Sequence, residues 1–386
     1  MSTSTPYIPN RAMEKSSYFK NIDGLRTICF LMVFCFHSFT SKSEAVLNSG
    51  AYGIIKNSIF SNGNLGVNFF FVLSGFLITY LLIIEKQTTS KINLVYFWIR
   101  RILRIWPLYF FCVFFGFFLF PVIKSYLGQT PQETAHLINY LTFTSNFDFI
   151  ANGRPDASIL GILWSISIEE QFYLVWPVFL LVIPIRYYWL LFVFLIAFSL
   201  GYRITHNDYY HLEFHTFSCM NDLVTGSFAA WLCLSCAPLE RFLIQSSKSI
   251  QLIPYVLFTA YFFLKDELMN FIPLLVPYER IISSVLMSWI ILDQVINAQG
   301  IFRLSRFPFL IKSGKYTYGM YCLHFLGILV TITIVKSILH KDDILTVLFI
   351  EPIGSLVLTY LISVISYRYF ERYFLQLKNN FTWYHS

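Results

Sequence analysis

His37 and Arg26 stand eleven residues apart in an otherwise apolar stretch that opens Asp23-Gly24-Leu25-Arg26 and closes Phe36-His37. On a helix at 100° per residue they fall on one face, separated by about 16 Å along the axis. Ionisable groups inside an apolar helix are costly and face a cavity or a partner. A neutral imidazole takes a proton from a hydroxyl, or accepts an acyl group. A guanidinium holds phosphate through its planar fork. The bland alternative has Arg26 reaching for headgroups, His37 as an interfacial polar residue, and Asp23 pairing with Arg26 one turn away.

A second basic group, Arg100, Arg101 and Arg104, has helical-neighbour spacing and suits phosphate or a positive membrane anchor. Glu169 and Glu170 follow Ser167 with the Ser-x-x-Glu spacing of a capping box. One carboxylate instead orients a histidine or binds sugar hydroxyls, and Glu170 is the better choice. Tyr173, Trp164 and Trp176 offer rings to a sugar face or to an interfacial belt. His324 lies inside a late apolar run and Asp222 inside a middle one. His206, His211, Glu213 and His215 cluster without a trustworthy zinc spacing, so no metal is expected. Ser74-Gly75 suits close helix packing.

The elements that must carry these residues are membrane helices. Of 386 residues, 56% are hydrophobic and 13% charged, where a soluble domain carries roughly 25% charged. Runs near 20 apolar residues match the thickness of a bilayer, and they are too continuous for barrel strands. The expected fold is all-α: a polytopic bundle of ten spans near 24–42, 65–84, 102–125, 163–184, 186–202, 216–236, 251–265, 280–296, 316–338 and 344–368. The first and seventh give the weakest signal. Of 28 Lys and Arg residues, 18 fall on the side of the N-terminus and nine opposite, with Arg26 within a span. That bias puts both termini in the cytoplasm. It also argues against nucleic acid as the reason for the +7 charge. The seven cysteines sit mostly in apolar runs, so disulfides are not expected, and Cys233 and Cys236 read as plain membrane cysteines. Residues 1–20 show no secretory signal, and targeting falls to the first span. The domain plan is a cytoplasmic segment 1–23, a transmembrane domain 24–370 and a cytoplasmic tail 371–386.

Six blocks, in order, carry a resemblance to a known family. They are Ile22-Asp23-Gly24-Leu25-Arg26 with His37; Gly66-Val67-Asn68-Phe69-Phe70-Phe71-Val72-Leu73-Ser74-Gly75; and Arg100-Arg101-Ile102-Leu103-Arg104. Trp164-Ser165-Ile166-Ser167-Ile168-Glu169-Glu170, Tyr318-Gly319-Met320-Tyr321-Cys322-Leu323-His324 and Tyr367-Arg368-Tyr369-Phe370-Glu371 complete them. Together they resemble the membrane-bound acyltransferase-3 family, the O-acetylases of bacterial envelope polysaccharides. Asn68 stands where that family often has Asp, and Arg372 where it has Pro.

The resemblance implies an O-acyltransferase of the bacterial inner membrane. Its donor would be cytoplasmic acyl-CoA, with acetyl-CoA the expected form, and its acceptor a hydroxyl of an extracytoplasmic glycan or glycolipid. It implies His37 as base or acyl carrier with Glu170 beside it. Arg26, Arg101 and Arg104 would hold the donor, and Asp23, Trp164, Tyr173 and His324 the substrate. The Arg26–His37 span is comparable to a pantetheine arm. Some relatives carry an added esterase-like domain, which this chain is expected to lack. The rival is a proton-coupled exporter with His37, Asp222 and His324 as its relay. It is weakened because the two five-helix halves show no similarity.

Overall fold

The structure, a computed structural model, describes residues 19–382 except 42, 298 and 340–342. Arg11, Lys15, Lys42 and Lys341 of the charge count lie outside the described residues, as do 1–18 and 383–386 of the two terminal segments. Among the described residues there is no strand, and ten long helices overlap the ten expected segments one for one. They are α1 (Lys20–Ser38), α2 (Leu65–Thr89), α3 (Leu94–Tyr126), α4 (Leu160–Val182), α5 (Ile185–Thr205), α6 (Thr216–Ser235), α7 (Lys248–Phe271), α8 (Glu279–Ile296), α9 (Thr317–Leu339) and α10 (Thr346–Phe381). By length and apolarity seven helical segments can cross a membrane, or eight if Tyr209–Ser235 and the bent Ala237–Gln245 count as one. The protein is therefore a multi-pass membrane protein. α1 and α7, the weakest signals in the sequence, are not among the seven.

The centre is the crossing of α2 and α6. A side chain on Gly75 would come within 1.8 Å of the Leu223 carbonyl oxygen, and one on Gly226 within 2.0 Å of that of Val72. Two glycines thus let the backbones touch in both directions, which is how membrane helices associate where lipid offers no hydrophobic drive. Ser227 Oγ donates to the Gly75 carbonyl across the same contact (3.2 Å). Pro107, Pro177 and Pro254 lie inside helices. Neighbouring helices make such breaks tolerable in a membrane. A π-helical turn, Phe115–Leu119, follows Pro107 in α3.

α1 is pinned at the end that carries Arg26. Asn21 Nδ2 donates to the Gln294 carbonyl (2.9 Å), and Asn21 Oδ1 accepts from the Ser305 amide (2.6 Å). Thr27 Oγ1 donates to the Leu310 carbonyl (2.7 Å). Gly314 lies so close to Asp23 that a Cβ there would meet the Asp23 Cβ at 2.4 Å. These contacts fix where Arg26 points.

Three boundaries differ from expectation. α1 begins at Lys20, so His37 falls in its last turn. α4 begins near Leu160, so Glu169 and Glu170 lie two turns inside the helix and do not open it. The capping-box reading is therefore corrected: Ile162 precedes the α-helical part without a side-chain cap, and Ser167 Oγ bonds Ser145 Oγ (2.7 Å). α10 runs past 370 to Phe381, making most of the expected tail part of the last helix.

Three of the nine basic residues counted opposite the N-terminus are not loop charges. Arg203, Lys265 and Arg280 are buried. Arg280 bonds Asp222 (2.5 Å) and Glu213 (3.3 Å), and Lys265 bonds Glu279 (3.0 Å). They belong to a buried ion network joining α5 to α8, so they weigh little in a charge bias.

Candidate active site

Six cations face one cavity of about 440 Å³ at the end of the bundle where α1 begins: Arg26, Arg100, Arg101, Arg104, Lys315 and Lys378. Three carboxylates face it too, Asp23, Glu85 and Glu371. Asp23 pairs with Arg26 (3.2 Å) and Glu85 with Arg100 (3.4 Å), while Glu371 accepts from Ser366 Oγ (2.8 Å). Among the described residues Arg101, Arg104, Lys315 and Lys378 form no ion pair. The cavity is thus cationic in excess, and excess buried charge is stabilised by an anion.

Arg101 is held by aromatic rings. Its guanidinium carbon lies 5.5 Å from the ring centres of both Phe97 and Tyr173. Stacking of this kind orients the fork without consuming its donors. Its Nε is buried without a partner. Tyr173 is in turn fixed to α3, because Trp98 Nε1 donates to its carbonyl (3.1 Å).

A narrow neck of about 100 Å³ leads inward from the basic cavity. Arg26, Arg101, Arg104, Leu77 and Tyr318 line both spaces. Beyond them the neck is lined by Ser74, Glu169, Ser165 and Tyr321. Ser74 Oγ donates to Glu169 (2.5 Å), and Ser165 Oγ shares a 2.6 Å hydrogen bond with the Tyr321 hydroxyl. Glu170 points to α3, where Trp106 Nε1 donates to its Oε2 (2.8 Å) and its Oε1 is buried without a partner.

One turn beyond Tyr321, α9 brings His324 against His37. His37 Nδ1 and His324 Nε2 are 3.1 Å apart, and His324 Nδ1 is 2.7 Å from the Tyr321 carbonyl oxygen. A carbonyl only accepts, so the His324 proton sits on Nδ1 and its Nε2 is an acceptor. The proton of the 3.1 Å contact then belongs to His37 Nδ1. What remains is His37 Nε2 with a free lone pair, the atom a general base or nucleophile needs. His37 also lines a separate apolar cavity of about 220 Å³ with Phe115, Phe120 and Phe325.

Arg26, Arg101, Arg104, Asp23 and Tyr173 therefore gather around the basic cavity and neck, while His37 meets His324 outside the lining of both. Glu170 lies on the neck's flank, next to Glu169 but bonded to Trp106. Trp164 lines none of these three cavities; it packs edge-on against Phe71 (6.1 Å) and Phe214 (4.8 Å). The histidine group of the loop stacks about Tyr202, with His206 at 4.0 Å and His215 at 4.5 Å, while Glu213 turns away to Arg280. Among the described residues no three or more His, Cys, Asp or Glu side chains converge as a metal site would require. Sequence reasoning gave no site role to Trp106, Tyr318, Tyr321 or Lys378, and gave Ser74 only a packing one. Tyr318, Tyr321 and His324 recur every third residue, a helical-face pattern that could have exposed the first two.

The model of a family described as acyltransferase domain, acyltransferase-3, matches residues 19–368. This chain belongs to that family. The match begins one residue before α1 and takes in every residue of the neck. Among relatives, the peptidoglycan O-acetyltransferase OatA of Listeria monocytogenes is 33% identical over 171 residues, covering 43% of this chain and 24% of its own length. A Staphylococcus aureus protein provisionally named an O-acetyltransferase is 28% identical over 380 residues, covering 93% of this chain and 57% of its own. YrhL of Bacillus subtilis, provisionally named a peptidoglycan O-acetyltransferase, is 33% identical over 174 residues. The matched part of the chain thus spans just over half the length of the staphylococcal relative and about a quarter of each of the other two. No solved structure matches it.

Proposed function

We propose that this acyltransferase-3 protein moves an acyl group, acetyl in the first instance, from CoA in the cytoplasm to a hydroxyl of a glycan outside the inner membrane. The observation that carries the reading is the shared wall: Arg26, Arg101 and Arg104 line both the cationic cavity and the neck, and the neck also touches Tyr321, one turn of α9 before His324. An acyl-CoA has the same order of parts, with anionic phosphates, a long thin arm and a reactive thioester at its tip. The about 16 Å rise between Arg26 and His37 suits that arm. The family and the names of the relatives support acetyl as the group and an envelope glycan as the acceptor. Peptidoglycan is the acceptor in the name of the Listeria relative.

His37 Nε2 takes the acceptor's hydroxyl proton as the oxygen attacks the thioester carbonyl. The carbon–sulfur bond breaks, the proton returns to the departing thiolate, and the products are an ester and free CoA. The Nδ1 hydrogen bond to His324 orients the ring and spreads the charge it gains. Glu169 places a carboxyl group in the neck, and Glu170 lies on its flank, bonded to Trp106. The positive-inside bias supports a cytoplasmic basic cavity with both termini on that side, and ten spans follow from counting α1, α7 and the bent α6 segment as crossing beside the seven.

Arg101→Ala tests the donor half. Purified full-length protein should lose about tenfold to a hundredfold in CoA affinity, the worth of one charge-assisted fork. Cells carrying the variant should lose the O-linked acyl group from their envelope glycan. CoA binding by Arg101→Ala as tight as by the native chain, with the protein folded, would remove the basic cavity from the mechanism.

A further inference from the structure

The donor reading leaves unexplained the outer wall of the basic cavity, which is built from the last turns of α10. Lys378, Asn379 and Thr382 face the cavity there, with Lys315 also on its lining. None of these residues reaches the neck. The turn Lys378–Phe381 is anchored to α3: Arg100 donates to the Phe381 carbonyl (2.6 Å), and the Phe381 ring lies 5.6 Å from that of Tyr96. Lys315 is held over the rings of Tyr316 (4.7 Å) and Tyr367 (5.8 Å), leaving its ammonium donors unspent. Arg101, Arg104, Lys315 and Lys378 are the cavity's four cations without an ion pair among the described residues.

CoA carries its charge in two places. The pyrophosphate adjoins the pantetheine arm, and the 3′-phosphate sits on the ribose, farther from the thioester. Together they bear about four negative charges at neutral pH, a phosphate monoester contributing close to two. With the arm in the neck, the pyrophosphate falls at the junction of neck and cavity, where Arg26, Arg101 and Arg104 are. The second phosphate then lies in the outer cavity. We propose that Lys378 and Lys315, on walls made by the end of α10 and the approach to α9, form a separate subsite for the 3′-phosphate. The enzyme would thereby distinguish CoA from pantetheine thioesters that lack it. The inference rests on the donor reading.

The two are separated by titrating purified full-length protein with CoA and with dephospho-CoA, which lacks only the 3′-phosphate. The native chain should favour CoA by about tenfold or more. Lys378→Gln should bring CoA down to the level of dephospho-CoA and leave dephospho-CoA binding unchanged, while Lys378→Arg should keep the preference. Lys315→Gln carries the same test if Lys378→Gln does not fold. Equal weakening of both ligands by the Gln variants, or equal affinity of the native chain for both, overturns the subsite but keeps the donor. Failure of the native chain to bind either ligand overturns the donor reading and the subsite together.

Discussion

Acyl transfer should fall by about a thousandfold in His37→Ala, with CoA affinity unchanged. The loss is the size expected for a positioned general base, 10² to 10⁴ in rate. Affinity should persist because the donor's phosphates are expected at Arg26, about 16 Å from His37 along α1, and at Arg101 and Arg104 on α3. His324→Ala should cost less, about tenfold. It removes the acceptor of the His37 Nδ1 proton, now 3.1 Å away, but leaves the reacting nitrogen in place. The measurement is turnover on an envelope glycan in membranes, beside CoA titration of each purified variant. A His37→Ala protein that binds CoA and transfers at the native rate would end the assignment. An exporter would give another pattern: no CoA binding in any variant. The relay proposed for it, through Asp222, also lacks a physical link. Among the described residues Asp222 bonds Arg280 and Asn221, and no hydrogen bond joins it to either histidine.

Asp222→Ala should destabilise the fold by about 3 kcal/mol, the low end of the cost of breaking a buried ion pair, because Glu213 still faces Arg280. Arg280 is 1% exposed, and Asp222 is fully buried. The Arg280 guanidinium donates to Asp222 Oδ2 at 2.5 Å and to the Glu213 carbonyl at 3.0 Å. Its Nε lacks a partner, and among the described residues the Glu213 carboxylate at 3.3 Å is the one acid still bonded to it once Asp222 is gone. Thermal unfolding in detergent reads the effect as a lower midpoint. The double variant Asp222→Ala/Arg280→Met should recover part of it, because the orphaned charge goes with the arginine while Glu213 loses its partner. A double variant as unstable as the single would show that packing, rather than charge, held the helices.

Much of the molecule was legible without coordinates. Charge scarcity and run length are one-dimensional quantities, and the bilayer converts them directly into helices; the ten long helices sit where the apolar runs do. The i,i+3 spacing of Arg101 and Arg104, and the eleven-residue interval from Arg26 to His37, are properties of a single helix. They survive in the fold because a helix keeps its own geometry. α1 and α7 carry the weakest signal in the sequence, and at 19 and 24 residues it is their composition, not their length, that leaves them outside the crossing segments.

Contacts between helices were not legible, because they depend on which backbones approach and how closely. Gly75 and Gly226 let α2 and α6 touch, and that crossing turns Ser74 towards Glu169. Ser167 and Glu170 had the spacing of a helix cap, but the helix starts earlier, and the two side chains bond Ser145 and Trp106 instead. Trp164, a plausible sugar platform by type, is enclosed by Phe71 and Phe214. Lys378 looked like a tail residue until α10 continued and folded its end against α3. The sequence by itself determined the helices, the family blocks and the residue types able to do acyl transfer, because those follow from local periodicity and chemistry. Only the tertiary structure decided that His37 pairs with His324 and that six cations share one cavity, because residues hundreds of positions apart meet only when helices pack.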